Sequence, residues 1–409
     1  MIHFFNIKLS QARALIRKLW GYPFIRNVYG VDCGEGRPRC LLVYLSVPFT
    51  RSSNHPSFLT HQNLSRAKMM ASVLNTSGYV VDVADVRSAH LPRSCGVYDL
   101  IVTHQSSLQF LEGHFDDHSV VVYLATGLPH AEQNRRVKDR LAALEKRRHC
   151  LLPMVAVADE VMSVLARADA ITGTGSFAGK TAWESVFCGP VHLFNNHGFG
   201  WIRPAEVMDD DSGRHFLFLG SVNQVLKGLD QLLDTFSQLP DFHLHIAGYY
   251  EKEYDFCACY KQELYQTPNI HGHGYIVIGS PQWDALVRRC AFVILPSCSE
   301  GQAGAVVQAM HAGLIPVVTP GVGIDAGAFG VMLPEDPFPV LGETVVRLGL
   351  MPPEALQKLR KATLTAAHEQ YSEASFSRRW REIVDLVKDR GRVGVCDRSG
   401  SRTGARGSC

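Results

Sequence analysis

The sequence predicts an α/β protein built from two parallel-sheet domains. Three observations carry this. The chain has 409 residues, against roughly 100–200 for a single domain. Short apolar runs alternate with helical stretches, the pattern of repeated βαβ units. A break at residues 196–213 interrupts the pattern, which then restarts.

In the first half, strands are expected at Cys40–Val47, Tyr79–Ala84, Tyr98–Thr103, Val120–Ala125, Ala170–Gly173 and Val191–Asn195. These are Val-, Ile- and Tyr-rich runs bounded by turn residues. Helices are expected at Phe58–Leu74 and at Ala131–Arg148, where Val137, Leu141 and Leu144 share a face. The break holds Gly198, Gly200, Pro204 and the acidic run Asp209–Asp211, with no sustained period. In the second half, strands are expected at Phe216–Leu219, Phe242–Ala247, Phe292–Leu295 and Leu314–Thr319. Helices are expected at Leu226–Leu239, Trp283–Arg289, Ala303–Ala312, Pro353–Gln370 and Glu373–Lys388. The expected organisation is a basic segment (1–36), a first domain (37–200), a linker (201–213), a second domain (214–388) whose last helix is free to return to the first, and a disordered Gly-, Ser- and Arg-rich tail (389–409).

Bulk properties exclude several classes. Apolar residues make up 46% and charged residues 20% of the chain, and the formal net charge is +2. These are globular proportions, without an overall basic field for nucleic acid. The 11 cysteines are scattered, several in apolar contexts, as reduced thiols of a cytoplasmic protein would be. Cys257 and Cys259 form a C-x-C without a second pair, so no metal site is expected. No run approaches the ~18 apolar residues of a membrane span. Met1–Asn27 carries Lys8, Arg13, Arg17, Lys18 and Arg26 beside Leu15, Ile16, Leu19 and Trp20. A second basic cluster, from Arg135 to Arg148, crowds one helix. Basic charge beside an apolar stripe is compatible with peripheral attachment to an anionic inner membrane face and equally with a solvated helix face.

The most informative stretch is Phe292–Thr319, FVILPSCSEGQAGAVVQAMHAGLIPVVT. A buried strand ends at Pro296 and a helix opens near Ala303, so that its first N–H groups and its dipole face an anion. Gly301 and Gly304 let a phosphate or sugar approach the backbone. Glu300, at the loop tip, can accept hydrogen bonds from sugar hydroxyls. Gln308 lies in the helix with an amide able to reach a ribose. The motif resembles the donor site of the retaining glycosyltransferases of family 4, in which Glu-Gly follows Pro-Ser and a second Glu lies eight residues on. The first Glu of that family binds the transferred sugar and matches Glu300. The second binds the nucleotide ribose, and here its position is Gln308.

His215–Phe236, HFLFLGSVNQVLKGLDQLLDTF, is similar to the family's opening strand and loop, where Gly-Arg is followed by Lys-Gly and both cations clasp a diphosphate. Gly220, Lys227 and Gly228 match, and Ser221 stands in place of the Arg. Lysine alone supplies a point charge without arginine's bidentate grip. In the first half, Val121–Arg136 resembles an acceptor-domain strand and loop, with His130 where a catalytic histidine lies in that family. The resemblance implies a GT-B fold, two Rossmann-like domains facing a cleft, with the first domain on the acceptor side and the second binding the donor. It implies sugar transfer from a nucleoside diphosphate to a glycan or glycolipid hydroxyl with retention, and no cofactor, the sugar nucleotide being a substrate. Glu300 and His130 are the catalytic candidates. Gly220, Ser221, Lys227, Gly301, Gln302, Ala303, Gly304 and Gln308 are the donor-binding candidates. A degenerate, non-catalytic binder and a sugar-nucleotide epimerase of the same fold are the alternatives. Gly173–Thr181 (GTGSFAGKT) misses a phosphate-binding P-loop by one glycine, at Thr174, and misses G-x-G-x-x-G at Ala178.

Overall fold

The computed structural model describes residues 22–31, 36–52, 55, 58, 62–154 and 162–397. Most of the basic N-terminal segment and the end of the tail lie outside the described residues, as do residues 59–61 of the helix expected from Phe58. Among the described residues the strands form two six-stranded sheets. The first comprises β1 (Arg39–Tyr44), β2 (Val80–Asp85), β3 (Leu100–Thr103), β4 (Val120–Ala125), β5 (Ala170–Thr174) and β6 (Val191–Phe194), in the order β2-β1-β3-β4-β5-β6. Its helices include α1 (Gln62–Thr76), α2 (His130–Arg148) and α3 (Phe177–Glu184).

The second sheet comprises β7 (His215–Gly220), β8 (His243–Gly248), β9 (Ile270–Gly274), β10 (Phe292–Leu295), β11 (Ile315–Val318) and β12 (Val331–Met332). Between them run α4 (Gln224–Lys227), α5 (Leu229–Phe236), α6 (Tyr254–Cys259), α7 (Lys261–Gln266), α8 (Pro281–Arg289) and α9 (Gly304–His311), followed after β12 by α10 (Phe338–Gly349), α11 (Pro353–Gln370) and α12 (Glu373–Asp397). The strand order is β12-β11-β10-β7-β8-β9. The chain therefore winds outward from β7 in one direction and returns to start β10 on its other side. Ligands of open parallel sheets bind at such a reversal, outside the carboxyl ends of the strands. Strands β7, β8, β10 and β11 are almost wholly buried on both faces, which explains their continuous apolar runs.

By compactness the chain divides into one unit of residues 1–124, 161–171 and 379–409, and a second of 125–160 and 172–378. In the first unit Trp380 of α12 is 1% exposed and donates from Nε1 to the Met70 carbonyl of α1 at 3.2 Å. Helix α12 continues to Asp397, past the Lys388 at which composition ended it. In the second unit residues 196–199 are buried, although the segment from 196 to 211 forms no helix or strand.

One face of the second sheet carries a ladder of five histidines. The register pairs His215 with His243, Leu217 with His245 and His245 with His271, so the alternation of a strand puts His215, His243, His245, His271 and His273 on one side. Asp211 Oδ2 lies 3.2 Å from His215 Nε2, His215 Nδ1 lies 2.9 Å from His245 Nε2, and His245 Nδ1 lies 3.0 Å from His273 Nε2. A carboxylate only accepts, so His215 carries its proton on Nε2 and accepts on Nδ1, and each following ring is set the same way. His243 and His271 pair likewise at 3.0 Å, and the His215 and His243 rings stack at 4.4 Å. Among the described residues, no group of three or more His, Cys, Asp or Glu is placed to hold a metal ion.

A ring that gains a proton becomes a donor at both nitrogens, which breaks a link wherever its Nδ1 was accepting. Burial, then repulsion from Arg289, pushes the His215 pKa down to about 4 despite Asp211. Burial, then the neighbouring histidines, pushes His245 down to about 2. His243, His271 and His273 are lowered, chiefly by burial. The unfolded chain takes up these protons from about pH 6.5 downward while the folded ladder refuses them, so stability is complete above that value and falls below it. The melting temperature should therefore drop between about pH 7.5 and pH 5, and His245→Leu should flatten that drop. A thermal-denaturation series in which the variant falls as steeply as the wild type would remove the ladder as the cause.

Candidate functional site

The candidate site lies in the second unit, where β7 and β10 are neighbours and pair through Phe216 and Phe292. Gly220 ends β7. A side chain there would strike the Phe218 ring at 2.5 Å, and one at Gly248 would meet the Gly220 carbonyl oxygen at 1.6 Å. The ends of β7 and β8 are thus locked backbone to backbone. Ser221 is exposed, and its carbonyl accepts from Tyr249 N–H at 3.1 Å. The chain then turns through Asn223, left-handed at φ 66°, into the single turn of α4 and its last residue, Lys227. Gly228, at φ 79°, sits against the Pro296 carbonyl, where a Cβ would be 2.6 Å from the oxygen. Lys227 Nζ donates directly to Glu300 Oε1. Two candidates separated by 73 residues are therefore one ion pair at the reversal of the sheet.

The loop after β10 is held from several sides. Ser297 is buried and donates to the Leu226 carbonyl at 3.0 Å, Cys298 N–H donates to the same carbonyl at 2.9 Å, and Thr319 Oγ1 donates to the Ser297 carbonyl. Glu300 N–H donates to Gly321 O at 2.7 Å. Gly301 abuts the loop between β4 and α2. A Cβ at 301 would lie 2.0 Å from the Thr126 carbonyl oxygen, so close backbone approach explains this glycine without a ligand. Ala303 is the N-cap of α9 and Gly304 its first residue, and no side chain caps that terminus among the described residues.

The two glutamines face elsewhere. Gln302 Oε1 accepts from Asn196 N–H, and Nε2 donates to Asn195 Oδ1 at 2.9 Å and to Gly323 O at 2.8 Å. Gln308, 2% exposed, accepts on Oε1 from Phe199 N–H at 2.9 Å and donates from Nε2 to the His197 carbonyl at 3.2 Å. Both amides brace the 195–199 segment. An amide presents the donor and the acceptor that this segment needs, which a carboxylate does not.

His130 is the first residue of α2, after the N-cap Pro129, and its Nδ1 is buried without a hydrogen-bond partner among the described residues. Four residues that the sequence did not single out for the site reinforce it. Arg140, 6% exposed, donates to the Pro296 carbonyl at 2.9 Å, and Arg136 donates to the Cys298 carbonyl at 3.2 Å. The Glu253 carboxylate receives the backbone N–H groups of Asn223 and Gln224, and Asn196 meets Gln302. The arginines belong to the basic cluster read as a membrane or solvent face. Arg147 pairs with Asp230 at 2.7 Å and with Asp234 at 3.0 Å, and Arg148 pairs with Glu263 at 2.7 Å. Bonds from Arg135, then Arg136, hold the Glu132 carboxyl down at about 2 despite its partial burial. Much of the helix's positive charge is spent inside the unit. Nothing in residue spacing distinguishes such an inward arginine from a solvated one.

Residues 213–348 match the model of the family described as glycosyl transferases group 1. No curated protein sequence matches the chain. Among solved structures, the chain resembles sucrose-phosphate synthase from Thermosynechococcus elongatus, with TM-score 0.60, 13% identity, and coverage of 87% of this chain and 100% of that one. It also resembles WaaG, a glycosyltransferase involved in lipopolysaccharide biosynthesis (TM-score 0.52, 15% identity, 84% and 98% covered). A third is HepE of Anabaena, solved with UDP and glucose (TM-score 0.52, 12% identity, 86% and 100% covered). No helix among the described residues is long and apolar enough to cross a membrane.

Two substitutions test the packing of the site. Gly301→Ala places a methyl group on the Thr126 carbonyl and should cost roughly 1–3 kcal/mol or more, read by urea unfolding. A change within experimental error would show that the two loops part easily. Gln308→Glu turns the donor facing His197 O into an acceptor and should cost about 1–3 kcal/mol. Undiminished stability would mean that the 195–199 segment does not depend on this amide.

Proposed function

From a chain with the two-sheet fold of the GT-B glycosyltransferases and a glycosyl transferases group 1 domain over 213–348, we propose that it transfers a sugar from a nucleoside-diphosphate donor to a hydroxyl of a glycan or glycolipid, with retention at the anomeric carbon. The observation that carries this reading is the Lys227–Glu300 pair at the junction of β7 and β10. Open α/β sheets bind ligands at this point. An ammonium has three donors, so with one on Glu300, two remain for phosphate oxygens. The uncapped start of α9 adds partial positive charge beside them. Both would stabilise negative charge growing on a departing diphosphate, which is where transferase catalysis needs help. Glu300 accepts from sugar hydroxyls and keeps Lys227 in place. His130 offers an unpartnered ring nitrogen at the start of α2 for the sugar or acceptor. UDP as the leaving group takes support from HepE, whose structure holds UDP and glucose.

A second reading, a binder of sugar nucleotides without turnover, is favoured by the commitment of Gln302 and Gln308 to the 195–199 segment and by serine at 221. A panel of UDP-, GDP- and ADP-sugars separates the two. The transferase releases nucleotide and the binder retains the intact donor. In the active chain, Glu300→Ala should cut turnover about a hundredfold or more while the fold persists; a folded variant with normal turnover would sink Glu300 as the sugar ligand. Lys227→Ala should weaken nucleoside-diphosphate binding by roughly 1.5–3 kcal/mol and leave the bare nucleoside unaffected. Equal losses for both ligands would make Lys227 structural.

A further inference from the structure

We infer that Glu253 is the positioning residue for the donor phosphate, acting through the turn that aims Lys227; this rests on the transferase reading above. The argument begins with the backbone. Asn223 is held left-handed at φ 66°, a conformation that costs most L-residues about 1–2 kcal/mol and that asparagine adopts more readily. Gln224, Val225 and Leu226 of α4 are buried, Leu226 against Val137 and Cys298, and the turn and α4 border a cavity of ≈ 310 Å³ whose wall includes Leu141 and Phe256. The carboxylate of Glu253 fastens the turn itself. Its Oε1 accepts from Asn223 N–H and from Gln224 Nε2 at 3.3 Å, and its Oε2 accepts from Gln224 N–H at 3.1 Å.

That placement passes directly to the cation. Lys227 N–H donates to the Asn223 carbonyl at 3.0 Å, so the residue fixed by Glu253 fixes the start of the Lys227 side chain. The other end of α4 is pinned by Gly228 against Pro296. The single turn is held at both ends, and Lys227 reaches from it to Glu300. Glu253 itself is anchored by the strand lock, since it follows β8, whose final Gly248 faces Gly220.

Glutamine at 253 keeps the shape but turns one oxygen into a donor facing the N–H it should accept. The test combines hydrogen exchange of the 219–228 peptide with binding of UDP, GDP, ADP and their nucleosides to the full-length chain and its Glu253→Gln, Glu253→Ala, Lys227→Ala and Glu253→Ala/Lys227→Ala variants. In the Glu253 variants that peptide should exchange about tenfold faster with the rest of the chain unchanged. The preferred diphosphate should bind about tenfold more weakly, one decade being 1.4 kcal/mol, with the nucleoside unaffected. The double variant should bind no more weakly than Lys227→Ala alone, because a residue acting through Lys227 has nothing left to position. Unchanged exchange, or losses that add in the double variant, would overturn the assignment. A wild-type chain that binds none of the three diphosphates removes the donor reading itself and this role with it. Faster exchange in that case still shows that Glu253 sets the turn, which separates the two failures.

Discussion

Parallel strands pair only when the chain crosses over between them, and the second sheet is wound so that β7 and β10, distant in sequence, lie side by side. That adjacency is the constraint on which the site depends. A reversal in strand order leaves the loops after the two central strands without a helix crossing between them. The loop after β7 delivers Lys227 and the loop after β10 delivers Glu300. Each loop is then fastened to the other by backbone groups, Leu226 O to Ser297 and Cys298, and Pro296 O against Gly228. The ion pair is the visible end of a junction whose buried part is main-chain hydrogen bonding, the obligatory partner search of every buried N–H and C=O.

Around that junction, side chains that look functional in the sequence divide into two groups. Lys227, Glu300 and His130 present charge or an unpartnered ring nitrogen. Gln302 and Gln308 spend their amides on the 195–199 backbone, and Gly301 accommodates the Thr126 carbonyl. The second group is no less necessary to the site. A buried amide that satisfies one donor and one acceptor fixes a segment without helix or strand, where unpaired backbone groups would each cost about 1–3 kcal/mol. The same logic runs through α2, whose arginines cap carbonyls of the β10 loop and meet Asp230, Asp234 and Glu263.

Most of the fold was legible in the sequence because apolar runs and helical periods are local signals. Strands β1 to β8, β10 and β11 fall on the expected runs, within a few residues at their ends. The misses have a physical cause. In β9, Ile-His-Gly-His-Gly lacks the apolar character of a buried strand, because it is an edge strand whose side chains join the histidine ladder. Gly391 and Gly394 argued for a tail, yet α12 extends to Asp397. Glycine inside a helix costs about 1 kcal/mol, which the apolar stripe of Trp380, Ile383, Val384 and Val387 preceding it can offset.

The sequence by itself determined that Pro296 ends a buried strand, that a helix opens after Ala303, and that Lys227 and Glu300 are the charged residues of two strand-end loops. Such facts depend on propensity, periodicity and a motif within one stretch of chain. Only the tertiary structure decided that Lys227 meets Glu300, that Gln308 turns toward Phe199 and His197, that Glu253 holds the Asn223 turn, and that five histidines share one sheet face. Each of these depends on which strands become neighbours and in what register. Strand pairing is set by the burial of the whole sheet and not by any residue's own surroundings in the chain. A glutamine eight residues after a glutamate reads the same whether it faces a ribose or a backbone, until the segment it must satisfy is brought against it.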